Sequence, residues 1–296
     1  MKSSTAAARS RAYRIFSIVV LVILAILFLF PLYWIITGAF KPAQDIYNPK
    51  PVWWPTEWVA NNFNNLFAKR TAPLFSIFGM DGPTAPAAFR WLINTVFMSV
   101  MAMLLTCLTA AMAGYALAKK RFVGRAIVFS LIVCAMALPK QVILIPLLKE
   151  MSALKLYDSL WAVIFPTLGW PFGVFLMKQF SESIPGEILE ATRIDGASEI
   201  KTFTTVVLPM VKPGIGALAI FTFINSWNDY FMQLVMLPSG NNYTIPLGIA
   251  TLQGETSVDM GLLMAGAALA SVPIIIVFLI FQKYFTQGIT MGAVKG

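Results

Sequence analysis

The sequence predicts an all-α integral membrane protein with six transmembrane helices. Of its 296 residues, 58% are hydrophobic and only 12% are charged, whereas about a quarter of the residues of a soluble protein are charged. The apolar residues are gathered into runs, and the run 15–40 holds no charge at all. That run exceeds the roughly 20 residues that a helix needs to cross a bilayer. A β-barrel would show short strands of alternating polarity instead.

Six apolar segments define the predicted spans. Proline inside the first span is compatible with a membrane helix, because neighbouring helices can satisfy the freed backbone groups. The third segment contains a break at Pro139-Lys140, and the fifth contains a polar patch. In chain order, the spans are 15–40, 91–118, the piece from Ala126 with its second part 141–148, 159–177, about 214–235, and 260–281.

The distribution of charge predicts that both termini are cytoplasmic. Basic residues precede the first span and follow the second, the fourth and the sixth, whereas the loop between spans five and six holds Glu255 and Asp259 and no base. This is the positive-inside pattern, and it explains the net charge of +9 without a nucleic-acid partner. The predicted organisation is a cytoplasmic tail 1–14, a first transmembrane helix 15–40, an extracytoplasmic loop 41–90, a core domain 91–285 of five transmembrane helices that includes a cytoplasmic loop 181–213, and a C-terminal tail 286–296.

The long loop 41–90 is rich in proline, tryptophan and asparagine, as in Pro51-Val-Trp-Trp-Pro55. Two interpretations stay open. The loop docks an extracytoplasmic partner, or it lies at the membrane interface with its tryptophans at the level of the headgroups.

Composition argues against an enzyme. The chain has no histidine, which excludes histidine-based acid–base catalysis and histidine metal ligation. Cys107 and Cys134 both lie in apolar runs, where a cysteine behaves as a small hydrophobe. The string Gly196-Ala-Ser-Glu-Ile-Lys-Thr202 lacks the second glycine of a P-loop and follows no strand. We therefore predict no metal, nucleotide or other cofactor on this chain.

The cytoplasmic loop 181–213 encodes a helix, a turn and a second helix. Pro185 suits a first helical turn, and Glu187 and Glu190 near that end complement the helix dipole. Asp195-Gly196 stops the helix, because glycine tolerates the left-handed conformation of a C-cap. Ser198 then provides an N-cap for the second helix.

The second helix of this loop is predicted to be amphipathic, and Leu208-Pro209 is predicted to end it. Two helices this short are marginal in isolation. They need a surface to pack on, either the rest of the chain or a groove on a partner. The predicted apolar face, at helical spacing, consists of Ile200, Phe203, Val206 and Val207.

The loop resembles the E-A-A…G…L-P loop of ABC-importer membrane subunits through Glu190-Ala191, Gly196 and Leu208-Pro209. The fuller pattern 190–213 is similar to the carbohydrate-uptake branch of that superfamily. The segments 219–230 and 292–296 resemble that branch's fifth-span motif and the C-terminal tail of its maltose-transporter G-type subunits. Thr192 departs from the pattern, since it replaces the second alanine of the triplet.

The resemblance implies a type I ABC importer permease fold and a subunit of an ATP-driven, binding-protein-dependent importer of sugars. Oligosaccharides are the expected substrates, and monosaccharides and sugar phosphates stay open as alternatives. The implied partners are a homologous second permease, a dimer of ATP-binding subunits that holds the ATP and Mg, an extracytoplasmic solute-binding protein, the carbohydrate substrate and the lipid bilayer. The implied location is the bacterial cytoplasmic (inner) membrane. A permease of this kind does no covalent chemistry.

The resemblance also implies two contacts with the ATPase. The alternatives are an ordinary surface helix-turn-helix for the loop and a disordered terminus for the tail. The expected tail contact consists of Gly292, Ala293, Val294, Lys295 and Gly296. The expected coupling residues are Glu187, Ile188, Glu190, Ala191, Thr192, Asp195, Gly196, Ala197, Phe203, Leu208 and Pro209.

The polar patch of the fifth span comprises Asn225, Ser226, Asn228, Asp229 and Gln233. A carboxylate inside a span usually faces a bundle interior or a wet cavity. The patch lines the translocation path or its gate, or it holds the helices together by hydrogen bonds. The rival function is an ion-coupled secondary transporter that uses Asp229 as its ion site. Asp158 is interpreted as an outer loop charge.

Overall fold

A computed structural model describes residues 2–74, 76–77, 80–253 and 258–293. Helices dominate it, as predicted. They are α1 (Lys2–Ala39), α2 (Ala43–Ile46), α3 (Asn61–Ala68), α4 (Ala87–Lys119), α5 (Arg125–Ala135), α6 (Lys140–Ala153), α7 (Leu160–Leu168), α8 (Pro171–Glu182), α9 (Gly186–Ile194), α10 (Glu199–Thr202), α11 (Leu208–Met210), α12 (Lys212–Asn228), α13 (Tyr230–Met236), α14 (Ile245–Thr251) and α15 (Met260–Ala293).

The chain forms two compact units, and their boundary divides the predicted loop 41–90. The first unit comprises residues 1–70 and 253–271, and the second comprises residues 71–252 and 272–296. The predicted N-terminal tail belongs to α1, which begins at Lys2. The last helix continues beyond the predicted end of the sixth span to Ala293.

Buried polar contacts organise the first unit after α1 ends. The Asn62 amide donates to the carbonyl oxygens of Ala39 (3.0 Å) and Lys41 (2.9 Å), and so partners groups that a helix end leaves free. The Lys41 ammonium donates to the Val52 carbonyl at 2.5 Å and lies 4.0 Å from the centre of the Trp34 ring. Burial lowers the pKa of Lys41. The start of the predicted outer loop is therefore a folded element.

The second unit is built around the long helix α4, with α7, α8 and α12 packed along it. Small residues allow close approach, since alanines and glycines let helix backbones pack tightly in membrane proteins. One buried cluster joins α4, α8 and α12 around Ala110, Ala111, Met177 and Leu218. A second cluster joins α4, α7 and α13 around Met98, Ile164 and Met236.

Two short antiparallel ladders add strands that the sequence analysis did not predict. Strands β1 (Thr71–Pro73) and β4 (Thr84–Pro86) pair with Ala72 opposite Ala85. Strands β2 (Ser76–Ile77) and β3 (Met80–Asp81) pair inside them. Ladders of two or three residues carry too few alternating positions for a recognisable strand pattern.

Three helical stretches have the length and hydropathy of a membrane span, namely 13–39, 87–119 and 260–283. Three further pairs of helices pass the same test together but are bent: α5 with α6 by 108°, α7 with α8 by 41°, and the 199–210 stretch with α12 by 77°. The described residues thus allow three to six crossings, and six remains the prediction. The break predicted at Pro139-Lys140 is confirmed, because α5 ends at Ala135 and α6 begins at Lys140.

Candidate functional site

The segment 181–213, called the coupling segment below, contains the predicted helix, turn and second helix. Helix α9 ends at Ile194, and Gly196 follows with a φ of +71°. The Ser198 hydroxyl accepts a hydrogen bond from the Lys201 N–H at 3.3 Å, which confirms the predicted cap. No atom lies within 4 Å of a β-carbon built on Gly196. Glycine is therefore required here by the left-handed backbone and not by lack of space.

The prediction that Leu208-Pro209 ends the second helix is wrong. The helix continues from α10 through a π turn, Phe203–Val207, to Met210, and the chain bends at Val211. The N–H of Leu208 bonds to the carbonyl of Phe203, five residues back. The wider turn accommodates the proline, which cannot donate a backbone hydrogen bond. π turns inside helices are frequent at functional sites.

The predicted apolar face of the second helix is also partly wrong. Val207 is buried, and Phe203 and Val206 are half-buried, but Ile200 is 78% exposed. The π turn inserts an extra residue into the helical repeat, so the spacing of a regular helix misplaces Ile200.

The coupling segment exposes large apolar side chains on its surface. Ile194 is 87% exposed, and Ile188 and Ile200 are also exposed. The sequence did not single out Ile194 as a candidate contact residue. Its spacing of three residues from Ala191 and six from Ile188 could have indicated that it shares their helix face. The other predicted coupling residues on this surface are Glu187, Glu190, Ala191, Asp195, Gly196 and Pro209.

Four predicted coupling residues are half-buried and hold the segment together. The hydroxyl of Thr192 lies 3.4 Å from that of Thr202, and the Thr192 carbonyl accepts the N–H of Ala197 at 3.0 Å. Phe203 stacks on Tyr115 with ring centres 5.8 Å apart, and Leu208 packs against the adjoining buried cluster. The contacts link α9 to α10 and both to α4.

A charged cluster joins the coupling segment to the end of α4. Glu199 forms an ion pair with Lys120, and the Tyr115 hydroxyl lies 3.4 Å from the same carboxylate. Arg193 lies 3.8 Å from its other oxygen. The hydrogen bond from Lys120 is the main cause that lowers the pKa of Glu199. The sequence analysis missed this cluster, because its members are distant along the chain.

Lys119 makes a second connection at the same end of α4. Its ammonium donates to the carbonyl oxygens of Ile184 (2.6 Å) and Glu182 (3.1 Å). These carbonyls lie where α8 ends and the coupling segment begins, a position at which a helix has free acceptors. The end of α4 is thus attached to the coupling segment at two places, at the start of the segment and at its second helix.

A cavity of about 370 Å³ lies in the second unit where three interruptions meet: the break before α6, the break between α7 and α8, and the break at Asp229. Of the predicted polar patch, Asn225, Ser226 and Asp229 line it, whereas Asn228 and Gln233 do not. The full lining is Ala135, Met136, Leu138, Lys140, Ile143, Leu147, Pro166, Thr167, Gly169, Trp170, Pro171, Phe172, Thr222, Asn225, Ser226, Asp229 and Met232.

Asp229 separates α12 from α13 and forms two contacts at the cavity. Its carboxylate accepts the N–H of Met232 at 3.3 Å and lies 3.3 Å from the ammonium of Lys140. The expected continuous fifth span is therefore interrupted at this residue.

Gln233 is fully buried and bonds within the bundle. Its amide donates to the carbonyl of Ser226 at 3.0 Å and accepts from the Thr244 hydroxyl. Asn228 bonds back to the Ile224 carbonyl of its own helix at 2.9 Å. These are the contacts that the helix-packing interpretation of the polar patch predicts.

Two further predicted residues have other positions. Asp158 is more than a loop charge, because it accepts hydrogen bonds from the N–H of Ser239 at 3.2 Å and from Asn242. Of the predicted tail contact, Gly292 and Ala293 end α15, and Val294, Lys295 and Gly296 lie outside the described residues.

A helical bundle with membrane-length helices, an exposed helix-turn-helix and a polar cavity at broken helices defines a membrane transport subunit. Residues 109–291 match the family described as "Binding-protein-dependent transport system inner membrane component". This match spans more than half of the chain, and the chain belongs to that family. The family membership confirms the resemblance found in the sequence.

Relatives match over nearly the whole chain. The "Arabinooligosaccharides transport system permease protein AraQ" of Halalkalibacterium halodurans is 34% identical over 92% of this chain and 93% of its own length. The protein of the same name from Bacillus subtilis is 32% identical over 96% of both chains. The "Diacetylchitobiose uptake system permease protein DasC" of Streptomyces coelicolor is 29% identical over 97% of this chain and 99% of its own.

The fold is also similar to that of a solved structure, a bacterial ABC transporter "involved in the import of the acidic polysaccharide alginate". The TM-score is 0.73 at 23% identity, over 93% of this chain and 97% of that one. This likeness confirms the predicted permease fold.

Proposed function

We propose that this chain is a permease subunit of an ATP-driven importer of oligosaccharides in the cytoplasmic membrane of a bacterium. Its relatives are named for arabino-oligosaccharide and diacetylchitobiose uptake, which supports a carbohydrate substrate. The observation that carries the proposal is the coupling segment, in which three large apolar side chains, Ile188, Ile194 and Ile200, are exposed. An exposed apolar patch of this kind indicates a binding surface for another protein.

The partner at this surface is a dimer of ATP-binding subunits, which would hold the ATP and Mg and perform the hydrolysis. A homologous second permease would complete the translocation path. A solute-binding protein would dock on the outer side, where Trp53, Trp54 and Trp58 are exposed; the alternative for these rings is the lipid headgroup region. The chain itself would catalyse no reaction, and its C-terminal tail would reach the ATPase.

Coupling would proceed through rigid helices. Movement of α9 and α10 with the ATPase would be passed to α4 through the Glu199–Lys120 pair and the contacts of Lys119. Helix displacement against a packed core is an established form of conformational switching. Gly196 would shape the turn presented to the ATPase, and Thr192 would position α9 on α10.

The cavity at Asp229 would form part of the translocation path. The rival function, in which Asp229 binds a coupling ion, is disfavoured by membership in a binding-protein-dependent family. It is also disfavoured by the Lys140 ammonium, which forms an ion pair with the carboxylate at 3.3 Å and would repel a coupling cation. A binding-protein-dependent transporter needs no ion site in its permease.

The experiment that tests the proposal is a mild-detergent pull-down of the tagged chain from its native membrane, comparing the wild type with Ile194→Asp. Burial of an isoleucine side chain contributes about 1.5–3 kcal/mol, so the variant should recover at least about tenfold less ATPase. It should still recover the second permease. The matched control is Leu154→Asp, since Leu154 is 58% exposed outside the coupling segment.

Recovery of the ATPase, the second permease and a binding protein with the wild type supports the importer. The recovered binding protein would then be screened with arabinotriose and diacetylchitobiose. Recovery of the wild-type chain alone would overturn the proposal, and equal ATPase recovery with Ile194→Asp would overturn the assigned docking surface.

A further inference from the structure

Two residues that line the cavity, Thr222 and Ser226, carry buried hydroxyls without a hydrogen-bond partner in the described part of the chain. Thr222 and Ser226 are both 3% exposed and lie one turn apart on α12. Neither hydroxyl has a partner among the residues that the structure describes. Buried polar groups in native proteins are nearly always hydrogen-bonded, so an unpartnered pair at a cavity wall indicates a ligand with polar groups of its own.

Aromatic rings at the break between α7 and α8 give the cavity an apolar wall beside these polar residues. Trp170 and Phe172 line the cavity with their ring centres 5.1 Å apart. A sugar ring has polar edges and an aliphatic C–H face that suits contact with an aromatic ring. Ligand sites commonly combine apolar and aromatic walls with a few placed polar groups.

The charges of the cavity favour a neutral ligand. Lys140 and Asp229 are the charged residues of the described lining, and they lie 3.3 Å from each other. An acidic sugar would compete with Asp229 for the ammonium. A neutral sugar could exchange hydrogen bonds with both groups while they remain paired.

We propose that this cavity is a sugar subsite contributed by this subunit itself, which holds one ring of a neutral oligosaccharide during translocation. Thr222 and Ser226 hydrogen-bond the sugar hydroxyls, and Trp170 and Phe172 contact the ring face. The volume of about 370 Å³ lies in the range of small-molecule sites. The inference rests on the proposed function for its substrate class, and it adds that this permease contacts the substrate.

The test uses the complete transporter in proteoliposomes, with its binding protein saturated with arabinotriose. The variant Thr222→Val/Ser226→Ala removes both hydroxyls and nearly preserves shape. The readouts are arabinotriose uptake and ATP hydrolysis in the same vesicles. Loss of two hydrogen bonds should reduce the sugar transported per ATP hydrolysed by about tenfold. ATP hydrolysis stimulated by the loaded binding protein should stay within about twofold, because the coupling segment is unchanged.

The matched control is Ser99→Ala. Ser99 is fully buried and its hydroxyl also has no partner among the described residues, but it does not line the cavity. The control should keep the wild-type ratio of uptake to hydrolysis. The proposal is overturned if the double variant keeps that ratio, or if the control loses as much as the double variant.

A direct measurement covers the case in which the double variant does not assemble. Asn225 lines the cavity and is exposed, so Asn225→Cys should react with a small methanethiosulfonate reagent. Arabinotriose should slow that reaction about tenfold or more but leave the exposed native Cys134 unaffected. Equal labelling of Asn225→Cys with and without the sugar would overturn the subsite.

Failure of the two proposals gives different results. A wild-type complex with no uptake of arabinotriose or diacetylchitobiose, and no stimulation by its binding protein, overturns the importer and the subsite with it. Normal wild-type uptake with unchanged variants overturns the subsite alone.

Discussion

Replacement of Gly114 by alanine should push α4 away from α8, the helix that leads into the coupling segment. Gly114 lies on α4 where it crosses α8. A β-carbon at this position would lie 2.6 Å from the Lys178 nitrogen and 2.6 Å from the Met177 carbonyl carbon. Both atoms belong to the backbone of α8, so no side-chain rotation can relieve the overlap.

The size of the effect follows from that distance. Carbon atoms in good contact lie about 3.5–4.0 Å apart, so the helices must separate by about 0.9 Å, and a gap of that size forfeits a quarter to a half of each neighbouring contact. Overpacking of a core costs about 1–3 kcal/mol. We expect a loss near the upper end, about 2–3 kcal/mol of unfolding free energy. The nearby contacts of Lys119 with the end of α8 should weaken as well.

The assay is thermal unfolding of the purified chain in detergent, followed by tryptophan fluorescence, with two glycine controls. The nearest atoms to a β-carbon on Gly173 would be those of the Ala110 and Leu218 side chains, at 3.3 Å, and a β-carbon on Gly186 would meet nothing within 4 Å. Gly173→Ala should therefore cost less than about 1 kcal/mol, and Gly186→Ala nothing. A Gly114→Ala protein that unfolds no earlier than Gly173→Ala would refute the argument.

Three further predictions concern the coupling segment and an adjacent loop. Gly196→Ala should cost about 1–2 kcal/mol locally because of the positive φ and lower ATP-dependent uptake, with Gly196→Asn less affected; equal loss with both variants would contradict this reason. Glu199→Gln should lower unfolding free energy by less than about 1 kcal/mol, because the Glu199 side chain is 59% exposed. Lys120 lowers the pKa of Glu199, so the contribution of the ion pair to stability is complete above the ordinary pKa of 4.5 and is lost as the pH falls through the lowered pKa. The melting temperatures of wild type and variant should therefore differ at pH 7 and converge in acid. A difference that does not change with pH would count against this role of the ion pair. Asp158→Asn should remove the negative charge from the acceptor of the Ser239 and Asn242 bonds, which is worth about 1.5–3 kcal/mol, and should speed hydrogen exchange at 238–243; unchanged exchange would argue against these carboxylate contacts.

The turn of the coupling segment was predictable from sequence because it is decided locally. Gly196 is needed for one backbone conformation. Ser198 caps the helix that begins at Glu199 by accepting the N–H of Lys201, three residues further on. Both effects involve residues within a few positions of each other, so they can be predicted from the local sequence. The same holds for the break before α6, where Pro139 restricts the residue ahead of it.

The features that the sequence did not reveal depend on distant partners. Pro209 stays inside a helix because the π turn Phe203–Val207 directly precedes Leu208-Pro209. The general rule that proline ends a helix does not anticipate that turn. The ion pair between Glu199 and Lys120 joins α10 to the residue that directly follows α4, about eighty positions earlier in the chain. The cavity requires three interruptions to meet, and hydropathy indicates where each span lies but not which breaks face one another.

The coupling segment and the cavity are joined by the same two helices, which gives the second unit a simple mechanical path. Helix α8 begins at the cavity with Pro171 and Phe172 and ends, after 12 residues, at the coupling segment. Helix α12 leaves the coupling segment at Lys212 and reaches the cavity at Thr222 and Ser226. At 1.5 Å per residue, α8 is a rod about 18 Å long. Because α8 and α12 both pack on α4, we expect a displacement of the coupling segment to move the aromatic wall and the hydroxyl wall of the cavity together. The proposed ATPase surface and the proposed sugar cavity would therefore lie at opposite ends of one pair of helices.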